Sequence, residues 1–198
     1  MEAIYNFDLA VFKWMDANLL GSFLDKIMAF ISYAGEGGII WILAAIAMLC
    51  FKKTRRYGVM MIGSLLLMEL LNNVIIKPII ARPRPFNYYD AASGFVYPNL
   101  GLFGKVPDSY SFPSGHTSSS FAAALPMLIY SKKTGIPAMI LAFLMGLSRI
   151  WLHDHYCTDV LAGVVAGLIY GIIAYFIITA IFNKLEKKYD LQKAFPKK

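Results

Sequence analysis

The chain has 198 residues, 58% of them hydrophobic and only 16% charged, with a formal net charge of +7 and a mean hydropathy of +0.57. A soluble domain carries about 45–50% apolar and about 25% charged residues, so this composition excludes an ordinary soluble fold and points to one membrane domain. The positive charge does not indicate nucleic acid, because it is gathered at the ends of apolar runs and not spread along a polar surface.

Residues 4–17 carry Asp8, Lys13 and Asp16 within an apolar pattern, which predicts an amphipathic interfacial helix. The start lacks the basic region and small-residue cleavage site of a signal peptide. A spanning helix needs about 20 mostly apolar residues. Residues 20–34 predict a short first span, and residues 37–51, after Gly35-Glu36-Gly37-Gly38, a second. Residues 57–77 predict a third. Residues 116–131 and 136–152, joined by Ser131-Lys132-Lys133-Thr134-Gly135, give a fourth and fifth, and residues 157–182 a sixth. The expected fold is therefore an all-α integral-membrane helical bundle over residues 1–198. It has six transmembrane helices, an N-terminal amphipathic helix and a long outer loop between the third and fourth spans. Five spans with an outer N-terminus is the competing count.

Charge fixes the sides. Lys52, Lys53, Arg55 and Arg56 form one cluster, and Lys132 and Lys133 a second. Lys184, Lys187, Lys188, Lys193, Lys197 and Lys198 form a third, so twelve of the 19 basic residues lie in these groups. Spanning helices retain Lys and Arg on the cytoplasmic side. Both termini are then expected inside, with the helix ends near 77, 114 and 152–156 outside. Cys50 and Cys157 fall at opposite ends, which argues against a bridge. The outer stretch from Arg82 to Phe112 is rich in aromatics: Phe86, Tyr88, Tyr89, Phe95, Tyr97, Phe103, Tyr110 and Phe112. It reads equally as an interfacial aromatic belt or as a lid over a lipid headgroup.

Three segments meet at the outer helix ends. They are Lys77 to Pro85, then Pro113-Ser114-Gly115-His116, then Ser148-Arg149 followed by His155 and Asp159. Lys77, Arg84 and Arg149 are cations beside a membrane, where unpaired charge is costly. An anion with several oxygens resolves that cost, and Arg presents a planar fork to phosphate. Pro113-Ser114-Gly115-His116 opens a helix whose free N–H groups suit phosphate. His155 and Asp159, four apart, share a helical face. Asp159 can then fix the tautomer of His155 and leave its other nitrogen free to attack. His116 is suited to protonate a leaving oxygen and later to activate water.

The pattern Lys, six residues, Arg-Pro; Pro-Ser-Gly-His; Ser-Arg, five residues, His, three residues, Asp resembles the signature of the type 2 phosphatidic acid phosphatase superfamily. All three parts fit without gap or substitution between residues 77 and 159. The resemblance implies His155 as the phosphoryl-accepting nucleophile, His116 as general acid and then base, and Asp159 as the group that orients His155. It implies Lys77, Arg84, Ser114, Gly115 and Arg149 as the phosphate-binding residues, with no metal and no cofactor.

The implied reaction is hydrolysis of a phosphate monoester or diphosphate on a membrane lipid, in the cell membrane, at an extracytoplasmic site. Undecaprenyl diphosphate, phosphatidylglycerophosphate, phosphatidic acid and diacylglycerol diphosphate are candidate substrates. Membrane lipids are the expected surroundings, nucleic acid is not expected as a partner, and no oligomeric state follows from the pattern. A lipid-to-lipid phosphotransferase and a non-enzymatic lipid or anion binder are the alternative readings.

Several residues have a plainer reading. Arg82 is expected to contact a headgroup or to support the site, and His153 to be a solvated loop residue. His153, His155 and Asp159 as metal ligands is disfavoured by the nearby cations. Glu69, Asn73 and Lys77 form a polar stripe, read as interhelical hydrogen bonding. The small-residue step Gly163, Gly167, Gly171 is expected to pack against Ser119, Ala122 and Ala123 and so bring the two histidines together.

Overall fold

The computed structural model describes residues 2–21, 23–87, 89–90, 95–96 and 109–186. Helix α1 spans Glu2–Asn18, α2 Phe23–Ala34, α3 Ile39–Cys50 and α4 Arg55–Met68. Helix α5 spans Lys77–Ile80, α6 Gly115–Tyr130, α7 Lys132–Trp151 and α8 Cys157–Glu186. A 3-10 turn at Glu36–Gly38 separates α2 from α3, and a π-helical turn at Glu69–Ile76 joins α4 to α5. The strand structure among the described residues is one short antiparallel pairing of Tyr89–Asp90 with Phe95–Val96. The predicted aromatic lid falls largely at residues 88–108, whose side chains lie outside the described residues. Of its flanks, Phe86 packs against a buried cluster and Tyr110 is exposed.

Helix α6 is the centre, packing most heavily on α7 and α8 and also on α4. Its inward residues are small: Ser118, Ser119, Ser120, Ala122, Ala123 and Ala124 are all buried. Small side chains let helices approach closely where lipid supplies no hydrophobic drive. The hydroxyls and amides left between helices are bonded across them. Trp41 Nε1 donates to Ser120 Oγ at 2.8 Å, and Ser64 Oγ to the Ala122 carbonyl at 2.9 Å. Ser118 Oγ donates to Asn72 Oδ1 at 3.1 Å. The interhelical bonding expected of the polar stripe thus falls to Asn72, whereas Asn73 donates to Glu69 within its own helix at 2.7 Å.

The glycine face of α8 does pack on α6, but of the expected partners Ser119, Ala122 and Ala123 only Ala122 meets it, and the contact falls mainly on Ser114, Thr117, Ser118, Phe121 and Leu125. A Cβ placed on Gly167 would stand 2.5 Å from the Ser118 carbonyl oxygen, and one on Gly163 3.0 Å from that of Ser114. The opposite face of α8 exposes Leu161, Val165, Ile169, Ile172 and Phe176. That inversion, small inside and large apolar outside, suits lipid and not water. The helical stretch from Arg55, Lys132–Trp151 and Cys157–Glu186 are each long and apolar enough to cross a membrane.

Three boundaries differ from expectation. The predicted loop at 131–135 is a single residue, Ser131, whose Oγ accepts from Lys133 N at 3.2 Å and starts α7 at once. Helix α2 has 12 residues, about 18 Å at 1.5 Å per residue, too short for a hydrocarbon core of about 30 Å. It bends by 48° into α3, and the two helices reach the length and apolarity of a span only together. Landmarks along the pair run in one direction. Trp151 donates to Asp25 near the start of α2, Gly35 faces Met145, Trp41 meets Ser120, and Leu49 abuts Gly58.

The third correction concerns the N-terminus, expected on the basic side. Helix α1 is amphipathic as predicted, but its apolar residues Leu9, Phe12 and Met15 pack on Ile150, Trp151, Tyr156 and Val160. Asp8 accepts from the Thr158 N–H at 2.9 Å. The helix therefore lies across the end of the bundle that carries His155. The basic end is the other one, where Arg56 stands 3.5 Å from Glu186 and sits over the Phe182 ring.

Candidate active site

The site is assembled by three chain breaks at one end of the bundle. Ala81 ends α5 in the left-handed region (φ 49°), with its N–H bonded to the Lys77 carbonyl at 2.8 Å. The residue before a proline disfavours helix, so the chain is non-helical from Ala81 to Arg84 and takes a 3-10 turn at Pro85–Asn87, with Arg84 and Pro85 buried. The π-helical turn ahead of α5 carries Asn73 and Lys77 to the start of α6, where a Cβ on Gly115 would meet Asn73 Oδ1 at 3.2 Å and Lys77 Nζ at 3.5 Å. Such turns recur at functional sites. The last break is the turn 152–156 between α7 and α8.

These breaks surround a cavity of about 700 Å³. One end is polar, lined by Lys77, Arg84, Gly115, His116, Arg149 and His155; the other is walled by Ile42, Ile46, Ile62, Leu65 and Leu66. Lys77, Arg84 and Arg149 are all buried. Arg149 donates to Ser32 Oγ and pairs with Asp154 at 2.9 Å. Its Nε has no hydrogen-bond partner among the described residues. Three buried cations around one space, with a donor unused, form a site for a multiply charged anion.

His155 is 1% exposed. Arg84 Nη1 lies 3.2 Å from its Nε2. Guanidinium only donates, so Nε2 carries the lone pair and the ring proton sits on Nδ1. Burial, then the charges of Arg84, Arg149 and Lys77, hold this imidazole well below its usual value, which favours its neutral form. Arg84 is itself held by the Ser109 carbonyl at 2.7 Å, Ser109 Oγ at 2.9 Å and the Asp154 carbonyl at 3.0 Å.

Asp159 lies behind His155, but not as helical spacing implies. Helix α8 begins at Cys157, so His155 belongs to the preceding turn. Asp159 Oδ2 is 3.6 Å from His155 Nδ1, beyond a hydrogen bond. Ser111 fills the interval: its hydroxyl stands 3.5 Å from Nδ1 and donates to Asp159 Oδ2. The Tyr156 N–H also donates to Oδ2, at 3.0 Å. Arg82 Nη1 donates to Oδ1 at 2.5 Å, while its Nη2 pairs with buried Asp8 at 2.7 Å. Asp8 further accepts from Thr158 Oγ1 at 2.6 Å. A chain of ionic bonds thus runs from α1 through Arg82 to the carboxylate behind His155.

Residues 53–183 match the PAP2 superfamily. The chain belongs to that superfamily. It is 33% identical to the undecaprenyl-diphosphatase of Sulfolobus acidocaldarius over 167 residues, covering 84% of this chain and 76% of that one. It is 32% identical to the undecaprenyl-diphosphatase BcrC of Bacillus subtilis over 181 residues, covering 84% and 89%. The fold superposes on the crystal structure of a transmembrane PAP2-type phosphatidylglycerolphosphate phosphatase from Bacillus subtilis with a TM-score of 0.65. The identity there is 26%, and 93% of this chain and 88% of that one are covered.

Within this PAP2 protein, Lys77, Arg84, Gly115, His116, Arg149 and His155 converge on the cavity. Ser114 and Asp159 stand outside its wall. The Ser114 hydroxyl caps α6, accepting from Thr117 N at 3.4 Å and Thr117 Oγ1 at 2.9 Å. His153 departs from expectation: it is fully buried, stacked on Phe12 at 4.4 Å, with Asp16 Oδ1 3.1 Å from its Nε2. Helix α1 covers it, which the loop reading did not include. Ser109, Ser111 and Asp8 are site residues that sequence reasoning missed. Ser111 had a signal in its position just ahead of the Pro113-Ser114-Gly115-His116 segment; Asp8 had none.

Proposed function

We propose that the protein hydrolyses phosphate from a membrane lipid through a phosphohistidine on His155. The observation that carries this reading is His155 Nε2, 3.2 Å from the Arg84 donor, on the wall of a cavity with three buried cations at one end and aliphatic side chains at the other. Lys77, Arg84, Arg149 and the N-terminal amides of α6 hold the phosphoryl oxygens, and the isoleucine and leucine wall receives the first part of the lipid chain. Phosphoryl transfer depends mainly on positioning and charge stabilisation, which fixed cations supply. Asp159, through Ser111, keeps the proton on Nδ1. His116 gives its proton to the leaving oxygen and then takes one from water. The names of the relatives favour a polyprenyl diphosphate or phosphatidylglycerophosphate as substrate.

The reading includes a topology. The bent pair α2–α3, α4 with its π turn, α6, α7 and α8 make five crossings, replacing the six expected. Helix α1 then lies in the interface on the extracytoplasmic side, over the site, and the basic clusters face the cytoplasm of a cell membrane. Phosphate release from undecaprenyl diphosphate, phosphatidylglycerophosphate and phosphatidic acid in detergent, with a chelator present, tests the activity. Wild type should turn over at least one of them and His155→Ala should lose at least about 10³-fold. Full activity in His155→Ala would overturn the phosphohistidine.

A further inference from the structure

The cavity also holds a carboxylate that belongs to none of the three motif segments. Glu36 sits in the break between α2 and α3, where Gly37 (φ 59°) and Gly38 (φ 71°) take left-handed turns that other residues rarely adopt. Its Oε2 is 3.5 Å from His116 Nε2. That nitrogen is buried and has no closer polar partner among the described residues. The break is fitted to the imidazole: a Cβ on Gly35 would come within 3.1 Å of His116 Cδ2 and 2.4 Å of the Met145 thioether. The remaining carboxylates near the cavity are committed elsewhere, Glu69 to Asn73, Asp154 to Arg149 and Asp159 to Arg82. Glu36 itself is 72% exposed and lines the same cavity as His116.

We propose that Glu36 is a positioning residue that holds the proton-donating form of His116, and that it fits the site for lipid phosphomonoesters, whose leaving group is an alcohol. The proposal rests on the phosphatase reading above. As His155 Nε2 attacks phosphorus, the N–P bond forms and the P–O bond to the lipid breaks. The proton on His116 Nδ1 passes to the leaving oxygen, which departs as an alcohol. Neutral His116 then takes a proton from water as the water oxygen attacks phosphorus. The N–P bond breaks, inorganic phosphate is released, and His116 is again protonated beside Glu36. Two cations near the ring, Arg84 and Arg149, oppose its protonation, and Glu36 is the charge placed to offset them.

Leaving groups separate this role from a structural one. An alkoxide is about as basic as hydroxide, with a pKa of ~16, and must be protonated to leave. A lipid phosphate released from a diphosphate has a second pKa of about 6 and leaves as the anion. Phosphatidic acid and diacylglycerol diphosphate share the same tails and differ in this respect. The hydrolysis of phosphohistidine is common to both substrates, so kcat/KM, which reports the steps through departure of the leaving group, is the quantity compared. With detergent-solubilised full-length protein, Glu36→Gln should lower kcat/KM on phosphatidic acid by about 10- to 100-fold. On diacylglycerol diphosphate it should change kcat/KM by less than about 3-fold, and Glu36→Ala should show the same split. Retained diphosphate turnover also reports that the variants are folded. Equal losses on both substrates, or no loss on either, overturn the proposal. So does a wild-type protein that cleaves the diphosphate but not the monoester. A wild-type protein inactive on both, and on the lipid panel above, instead overturns the phosphatase reading.

Discussion

Gly167→Ala adds one methyl group about three turns along α8 from the site and touches no cavity residue. Its Cβ would stand 2.5 Å from the Ser118 carbonyl oxygen and 2.9 Å from Phe121 Cβ, where ordinary contacts begin at 3.4 Å. Both obstacles are close to the α6 backbone and cannot swing aside, so α8 and α6 must part by about 0.9 Å; overpacking of this kind costs about 1–3 kcal/mol. Helix α6 carries His116 at its start, and α8 follows His155. A misplacement of about 1 Å in reacting groups costs about 100-fold in rate. The expected result is a folded protein, a few degrees less stable by thermal melt in detergent, whose kcat for lipid-phosphate hydrolysis falls by about 10- to 100-fold. Gly171→Ala is the control, because its nearest neighbour at 2.9 Å is the flexible end of Leu125; it should lose less than about 3-fold. Wild-type kcat in a folded Gly167→Ala protein, or equal loss in both variants, would refute the idea that this helix contact sets the distance between the histidines.

Three further outcomes follow from the surroundings of His155. Asp8→Ala leaves Arg82 with one carboxylate and uncaps Thr158, and should destabilise the protein by about 3 kcal/mol, read as a lowered Tm. A double-mutant cycle with Arg82→Ala should show coupling above about 1 kcal/mol, and additivity would remove the proposed ionic chain. Ser111→Ala leaves Asp159 too far from Nδ1 to direct it, and should lower kcat by about 10-fold with KM little changed in the same assay. Burial holds His153 at about 4. Asp16, beside it, is itself pushed up by burial. The unfolded chain, with an ordinary imidazole near 6.5, binds the proton first as pH falls, so stability is full above about 6.5 and is lost towards 4, by at most about 3 kcal/mol. His153→Asn tolerates the local φ of 55° and should flatten the dependence of Tm on pH between 6.5 and 4. An unchanged slope would show that His153 is not the group responsible.

The motif segments and the helices from residue 55 onward were legible because their signals are local. A run of apolar residues, a basic cluster or a fixed spacing needs no knowledge of partners. The pairing of Gly163, Gly167 and Gly171 with α6 was legible too, since close approach in lipid requires small residues. What escaped notice depends on contacts distant in the sequence. Asp8 reads as an ordinary charge on an amphipathic helix until α1 is laid against Thr158 and Arg82. His153 reads as a loop residue until Phe12 covers it. The short α2 reads as a separate span because Gly35-Glu36-Gly37-Gly38 has the composition of a loop, whereas here that segment is a tight bend of 48° between α2 and α3. The spacing of His155 and Asp159 pointed to a direct bond, but α8 starts two residues too late for it, and Ser111 supplies the missing atom.

The bond from Asp8 to Thr158 spans 150 residues of sequence. A chain made and inserted from its N-terminus displays α1 early, while the carboxylate of Asp159 and the imidazole of His155 arrive with the last helix. Until α8 is in place, Arg82 lacks its pairing with Asp159 and keeps Asp8 as its carboxylate partner. The two carboxylates that hold Arg82 are therefore brought together only when α1 and α8 are both in place, so this contact closes the fold across nearly the whole described chain.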